Sequence, residues 1–502
     1  MGTPISDADP VPKVPYCYPD LGFNSKVLEP DSPDELESSF QQSLEVYNQA
    51  IKKIPVFQHI ISDLDLQAFK SMIDLLETTT VFEEYLAGYI LLTFKELTAV
   101  NKFLDDHEDK ATAKFVDMLL GCRAIEVFGS MVDKFTIDGV PHQTFDDHEG
   151  AVAFRALQTI SHMMFINPDV AELVCNQTKL VKWVIGKLEK GDAFDFAKHN
   201  VVGFLSTLLQ PPWTTSSKLG ELGAVEAVVK ALLPYTTVEE EEDEDEEDIL
   251  LVEEQYLLEN LFQCLSGLLW FSENRKRFAV AGGGGYMIKI VEQKKLNDAY
   301  YGSAIVALDD ALKDCPCASD KFVGASGLDI AFPASIISTC ETHDKEEIEE
   351  RLISIIASLT GGIATETDKD KLLRKFEEND FRKTTWLMKL FRRYFENVAA
   401  MRKVPKLDES DLYEVKMRYG LPTLQSIAVI LGYLWLSNKS EIIARIENEL
   451  SRHNLKKTDV REILIEYIKG GSVKQIPAKA AVIQKYIDFL EVIIISPCSR
   501  RR

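Results

Sequence analysis

Apolar residues along this chain recur at steps of three and four. Between Leu257 and Ala281, in LLENLFQCLSGLLWFSENRKRFAVA, positions Leu258, Leu261, Phe262, Leu265, Leu268 and Leu269 trace one wide stripe, the spacing that puts side chains on one face of a helix. A stripe that wide predicts burial against neighbouring elements. The same period predicts helices at about 34–52, 56–77, 81–104, 111–134, 148–166, 169–190, 195–210 and 218–233. Further helices are expected at 345–359, 369–378, 384–404 and 411–436, the last interrupted at Gly420-Leu421-Pro422, with two short ones within 440–468. Alternating runs bounded by tight-turn dipeptides are missing from the sequence, so strands are not expected.

The helices also repeat. Gly121, Gly223, Gly285 and Gly327 each precede an amphipathic segment, at successive separations of 102, 62 and 42 residues, which fit one or two units of the roughly 40–47-residue period of helical solenoids with insertions. Glycine at such a place lets one helix turn sharply into the next. The expected fold is all-α, an armadillo/HEAT-like α-solenoid whose stacked units bury each other's apolar faces and leave a groove for a partner. The expected organisation is a Pro-rich arm at 1–33, helical repeats over 34–404 with an acidic insertion at 238–249, and a C-terminal helical region over 405–502.

Charge sharpens this picture. The 80 acids outnumber the 56 bases, for a formal charge of −24. Ten carboxylates are consecutive: Glu239, Glu240, Glu241, Glu242, Asp243, Glu244, Asp245, Glu246, Glu247 and Asp248. The run reads either as a solvated loop between repeats or as a local field that speeds capture of a basic tail. An acidic body lacks the positive field that phosphates need, so direct nucleic-acid binding is not expected; basic protein segments are the natural complement. Eight irregularly spaced cysteines form no disulfide framework. No run reaches the roughly 20 apolar residues of a bilayer span, and the expectation is a soluble intracellular protein.

Catalytic and metal chemistry find little support. His142, Asp146, Asp147, His148 and Glu149 are of metal-ligand type but lack zinc spacing. Gly282–Gly285 lacks the Lys-Ser/Thr of a phosphate loop. Cys315-Pro316-Cys317 has one residue between its thiols rather than two. No catalytic residue, metal or cofactor is expected.

Several segments carry a resemblance. Glu259-Asn260-Leu261-Phe262, Ser272, Asn274-Arg275, Arg277-Phe278, Lys321-Phe322-Val323, Gly327-Leu328 and Phe332-Pro333 are followed by Ser354 to Leu359 and Leu372 to Asp380. In this order they resemble the β-catenin-like protein 1 family, as do Leu180, Trp183 and Lys187-Leu188 earlier, over about 30–470. The resemblance implies a non-catalytic armadillo scaffold of the nucleus, associated with the spliceosome through the nineteen complex. It implies binding to basic nuclear-localisation-type segments of splicing factors, including a cell division cycle 5-like protein, and self-association as a homodimer. Family members usually carry an N-terminal basic signal of their own; here Lys52-Lys53 is too short for one, and entry as a passenger or through Arg500–Arg502 is left open, with a cytoplasmic pool beside the nuclear one.

In armadillo units the third helix lines the groove, and by the resemblance 255–272 takes that place. Glu259, Asn260, Trp270 and Asn274 are then candidate groove residues. Trp270 and Asn274, four residues apart, would share a helix face, which resembles the way importin-type proteins flank a Lys stem with Trp and bond the peptide backbone with Asn. The competing reading buries Trp270 in the core and has Asn274 close the helix. Asp309 and Asp310 end the next unit's equivalent helix, either to meet a partner's Lys or Arg or as a solvated face. The alternative function is an importin-like adaptor for basic cargo, which would use a repeated ladder of such pairs.

Overall fold

The computed structural model describes residues 63–78, 84–98, 106–135, 148–189, 196–236, 252–292, 298–332, 345–401, 409–470 and 476–495. The arm 1–33, the expected helix 34–52, the acidic run 239–248, His142 with Asp146 and Asp147, and Arg500–Arg502 lie outside the described residues.

Among the described residues every regular element is helical. Helices α1 (Asp63–Thr78) and α2 (Glu84–Thr98) are followed by units of two helices and a longer third. The first such unit is α3 (Asp106–Gly121), α4 (Ala124–Lys134) and α5 (His148–Ile166); the second is α6 (Asp169–Gln177), α7 (Leu180–Glu189) and α8 (Phe196–Leu208). Next come α9 (Ser216–Glu221), α10 (Ala224–Ala231) and α11 (Val252–Leu269), then α12 (Ser272–Val280), α13 (Gly283–Glu292) and α14 (Asp298–Leu312). The order continues in α15 (Pro316–Gly324), α16 (Leu328–Ala331) and α17 (Lys345–Gly362); then come α18 (Glu366–Met401), broken by a kink at Glu378–Phe381 between the expected helices 369–378 and 384–404, α19 (Glu409–Arg418) and α20 (Leu421–Leu436). Helices α21 (Ser440–Arg452), α22 (Lys457–Lys469) and α23 (Pro477–Ile495) close the chain.

The third helices build the stack. Helix α2 packs on α5, α5 on α8, α8 on α11, α11 on α14, α14 on α17 and α17 on α20. The stripe read from the sequence of α11 is buried here: Leu261, Leu265, Leu268 and Leu269 are fully inaccessible. Truncating one of them to alanine is expected to cost about 3 kcal/mol through lost burial and the cavity left behind. Among the described residues no single helix is long and apolar enough to cross a membrane; α19 with α20 meets the length and composition criteria only as a pair bent by 74°, and α20 buries Leu421, Ile427, Ile430 and Leu434 in the stack.

Several expected helices are divided. The segments at 111–134, 169–190 and 218–233 each fold as two, and the 257–281 stretch splits between α11 and α12. These breaks make the units compact: a first helix must reverse into a second. In four units the reversal occurs at a left-handed residue, Arg123 (φ 59), Gly223 (φ 96), Gly282 (φ 82) or Ser326 (φ 65), whereas between α6 and α7 Thr178 is extended (φ −125, ψ 165). Of the four glycines expected at bends only Gly223 is one of these; Gly285 lies inside α13, and Gly327 has φ −61. Gly327 serves a different end, since the Phe322 ring occupies the space a Cβ would need, as the Phe278 ring does at Gly283.

Candidate functional site

The centre of the stack exposes a polar strip where α8 meets α11. Ser206 is buried, with its Oγ 3.1 Å from Asn260 Oδ1 and 3.3 Å from Gln263 Oε1. Asn260 Nδ2 donates to the Tyr256 carbonyl at 3.0 Å, which fixes the amide's orientation. Glu259 beside it is exposed, and partial burial still raises its carboxyl pKa. The neighbouring Tyr300 hydroxyl, from α14, is pushed up to about 12 by burial, with Glu259 and Glu254 adding to the shift. The strip therefore pairs oriented amides with a carboxylate open to solvent.

At the C-terminal end of α11 the expected Trp270/Asn274 face does not form. Phe271 is extended (φ −90, ψ 129) and breaks the helix between them. Asn274, 1 % exposed, turns inward, where its Nδ2 donates to the carbonyls of Leu268 and Ser216, both at 2.9 Å. It thus closes α11 and ties it to α9, so groove contact by Asn274 is corrected to an internal bond. Trp270 is 62 % exposed, which overturns the core reading. Its ring stacks on Trp213 at 4.4 Å between centroids and 27° between planes. Trp213 lies in the connection five residues past α8 and Trp270 directly follows α11, so rings from the connections of two consecutive units meet at this edge. Arg275 anchors that edge, donating to the carbonyls of Leu269 (2.7 Å), Trp270 (3.1 Å) and Lys313 (2.6 Å).

The next edge is closed. Asp309 is 1 % exposed, and its Oδ2 meets Lys313 Nζ at 3.2 Å and Arg351 Nη1, from α17, at 3.1 Å. Burial works most strongly against the charge of Arg351 and Lys313, but Asp309, Asp310 and the hydrogen bonds they accept together outweigh it, with Glu347 adding at Arg351, so both hold their protons more firmly than usual. Asp310 is half-buried and also binds Lys313, at 2.8 Å. Asp309 is therefore committed to an inter-unit ion pair, a correction to its expected role at the groove, while Asp310 keeps partial exposure. Of the six expected residues, the structure leaves Glu259, Asn260, Trp270 and Asp310 at least partly accessible.

Ser206, Gln263, Trp213 and Arg275 escaped the sequence reading. Trp213, in the connection after a third helix as Trp270 is, carried a usable signal once the true helix ends are known. Burial raises the Cys175 thiol to about 12 and pushes Cys264 well above the usual thiol range. Among the described residues no three His, Cys, Asp or Glu side chains converge as a metal site.

Comparison with known proteins agrees with this architecture. Beta-catenin-like protein 1 of Rattus norvegicus is 25 % identical over 497 residues, covering 92 % of this chain and 82 % of its own. The Homo sapiens protein of that name is 25 % identical over 498 residues with the same coverage. A Schizosaccharomyces pombe homolog is 24 % identical over 409 residues, covering 75 % of this chain and 67 % of its own. The family described as "Catenin-beta-like, Arm-motif containing nuclear" matches residues 59–465. With its stacked three-helix units and a match over most of its length, the chain belongs to the catenin-beta-like, Arm-motif containing nuclear family.

Proposed function

We propose that this protein is a non-catalytic scaffold of the splicing machinery that holds basic, nuclear-localisation-type segments of splicing factors along its third helices. Membership of an Arm-motif family supports a protein-interaction role, and no enzymatic family is indicated. The observation that carries the finer reading is the uncovered surface at α8 and α11: exposed Glu259, the oriented amides of Asn260 and Gln263, and the Trp213–Trp270 stack. Carboxylates meet cationic heads, amides bond an extended backbone, and indole faces attract Lys or Arg. The acidic run 239–248 joins α10 to α11 through the same unit and would raise the local concentration of a basic tail.

The test is purification of the tagged protein from its own cells at moderate salt, with mass-spectrometric identification of what accompanies it. Nineteen-complex factors, among them a cell division cycle 5-like protein, are the expected company. The importin-like alternative draws on the paired Trp213 and Trp270 in consecutive units, a short aromatic ladder. Recovery of transport carriers with mixed basic cargo and no splicing factors would promote that alternative and sink the splicing reading.

A further inference from the structure

A second surface lies away from the polar strip. Between the first helices of two consecutive units, α12 and α15, a cleft of about 170 Å³ is lined by Phe278, Ala279, Leu308, Leu312, Phe322 and Ala325, with Gly282, Gly284 and Gly285 at its mouth. The Phe278 ring fills the space beside Gly283, whereas Gly284 and Gly285 next to it leave space open. A Cβ at Gly284 or Gly285 would meet nothing within 4 Å, so the start of α13 presents bare backbone where other helices present side chains. The volume suits one large apolar side chain, comparable with an engineered cavity of about 150 Å³ that takes up benzene.

Charge identifies the occupant. In a chain of net charge −24, Lys321 is the one charged residue lining the cleft. It is exposed and makes no ion pair among the described residues. Lys289, one helical turn beyond Gly285 and on the same face, is likewise exposed and unpaired among the described residues. Nearby acids are engaged elsewhere: Glu273 holds Lys276 at 2.8 Å, Asp320 accepts from the Ala364 N–H at 3.0 Å, and Asp329 holds Lys375 at 2.6 Å. Glu292 lies a further turn along α13.

We propose that this cleft docks a partner protein through a short acidic segment carrying one large apolar residue, the apolar side chain entering between Phe278 and Phe322 while flanking carboxylates meet Lys321 and Lys289. The surface is thus opposite in charge preference to the one proposed for basic segments. A scaffold with both would hold two kinds of segment at once, and neither proposal depends on the other.

The experiment measures fluorescence anisotropy of a labelled heptapeptide, Asp-Glu-Asp-Phe-Asp-Glu-Asp, against the full-length protein. Saturable binding is expected, weakened at least tenfold when the peptide's Phe is replaced by Ala. Gly285→Leu should weaken it at least tenfold by filling the cleft; leucine is the better helix former, so circular dichroism should show an intact fold. Lys321→Glu should weaken the acidic peptide and strengthen a Lys-Arg-Lys-Phe-Lys-Arg-Lys counterpart. No binding, binding indifferent to the Phe, or equal affinity for wild type and Gly285→Leu would overturn the proposal, as would a wild-type preference for the basic peptide that Gly285→Leu abolishes.

Discussion

The edges that follow α11 and α14 occupy the same place in consecutive units, yet they end in opposite states. In the last turn of α14, Asp309 draws Lys313 and Arg351 into an ion pair that joins α14 to α17. After α11, Arg275 binds backbone carbonyls and Asn274 binds two carbonyls and the Ser216 hydroxyl, and two indoles remain outside, stacked on each other. The C-terminal ends of corresponding helices thus serve cohesion in one unit and stay open in its neighbour. Availability to a partner is set by whether a side chain's bonding is already satisfied within the stack, and charge or residue type alone does not reveal it.

The sharpest way to break the closed edge is Asp309→Ala. It takes the buried shared partner from two cations at an inter-unit seam; Lys313 keeps Asp310 at 2.8 Å and Arg351 keeps Glu347 at 3.6 Å, and both are about one-third exposed, so a cost no larger than about 3 kcal/mol is expected. Urea denaturation should register it as a lower midpoint. Asn274→Ala removes the tie beneath the open edge and leaves the Leu268 and Ser216 carbonyls without that donor, at about 2–3 kcal/mol. Loss of the tie should also free Trp270, seen as a change in its fluorescence.

A third seam, between α2 and α5, is closed by a neutral group and sharpens the comparison through pH. Burial lowers His162 to about 4, partly offset by its bond to the Lys95 carbonyl, with the Lys95 charge adding to the lowering; its Nδ1 is 3.3 Å from both that carbonyl and Thr98 Oγ1. The folded state therefore favours the neutral ring. Its contribution is complete above the unfolded pKa of about 6.5 and is lost as pH falls toward about 4. His162→Gln should flatten the stability profile by about 2 kcal/mol between pH 7.5 and pH 5. An unchanged slope would mean that the ring is hydrated.

The sequence carried the helical period well because burial enforces it: the α11 stripe is buried as its spacing requires. The interruption of 411–436 at Gly420 was legible too, since Gly420 is left-handed and Pro422 opens α20. Unit boundaries were harder to read. Apolar periodicity runs on through Trp270-Phe271 although the helix stops, because the stop is made by the Asn274 amide capping Leu268 from the next helix. Likewise, an Asp at a helix end looks the same whether solvent or Arg351, 42 positions later, faces it. Such pairings belong to the stack, and only its three-dimensional register displays them.

The comparison of the two edges is tested most directly by one binding titration: a fluorescent Lys/Arg-rich localisation-type peptide against wild type, Trp270→Ala, Glu259→Lys and Asp309→Asn. Trp270→Ala and Glu259→Lys are each expected to lower affinity by about 1 kcal/mol or more, with an effect of Glu259→Lys that shrinks at high salt. Asp309→Asn should leave affinity unchanged in protein that remains folded. The reverse pattern, loss at Asp309 with no change at Trp270 and Glu259, would contradict the division into a closed edge and an open one.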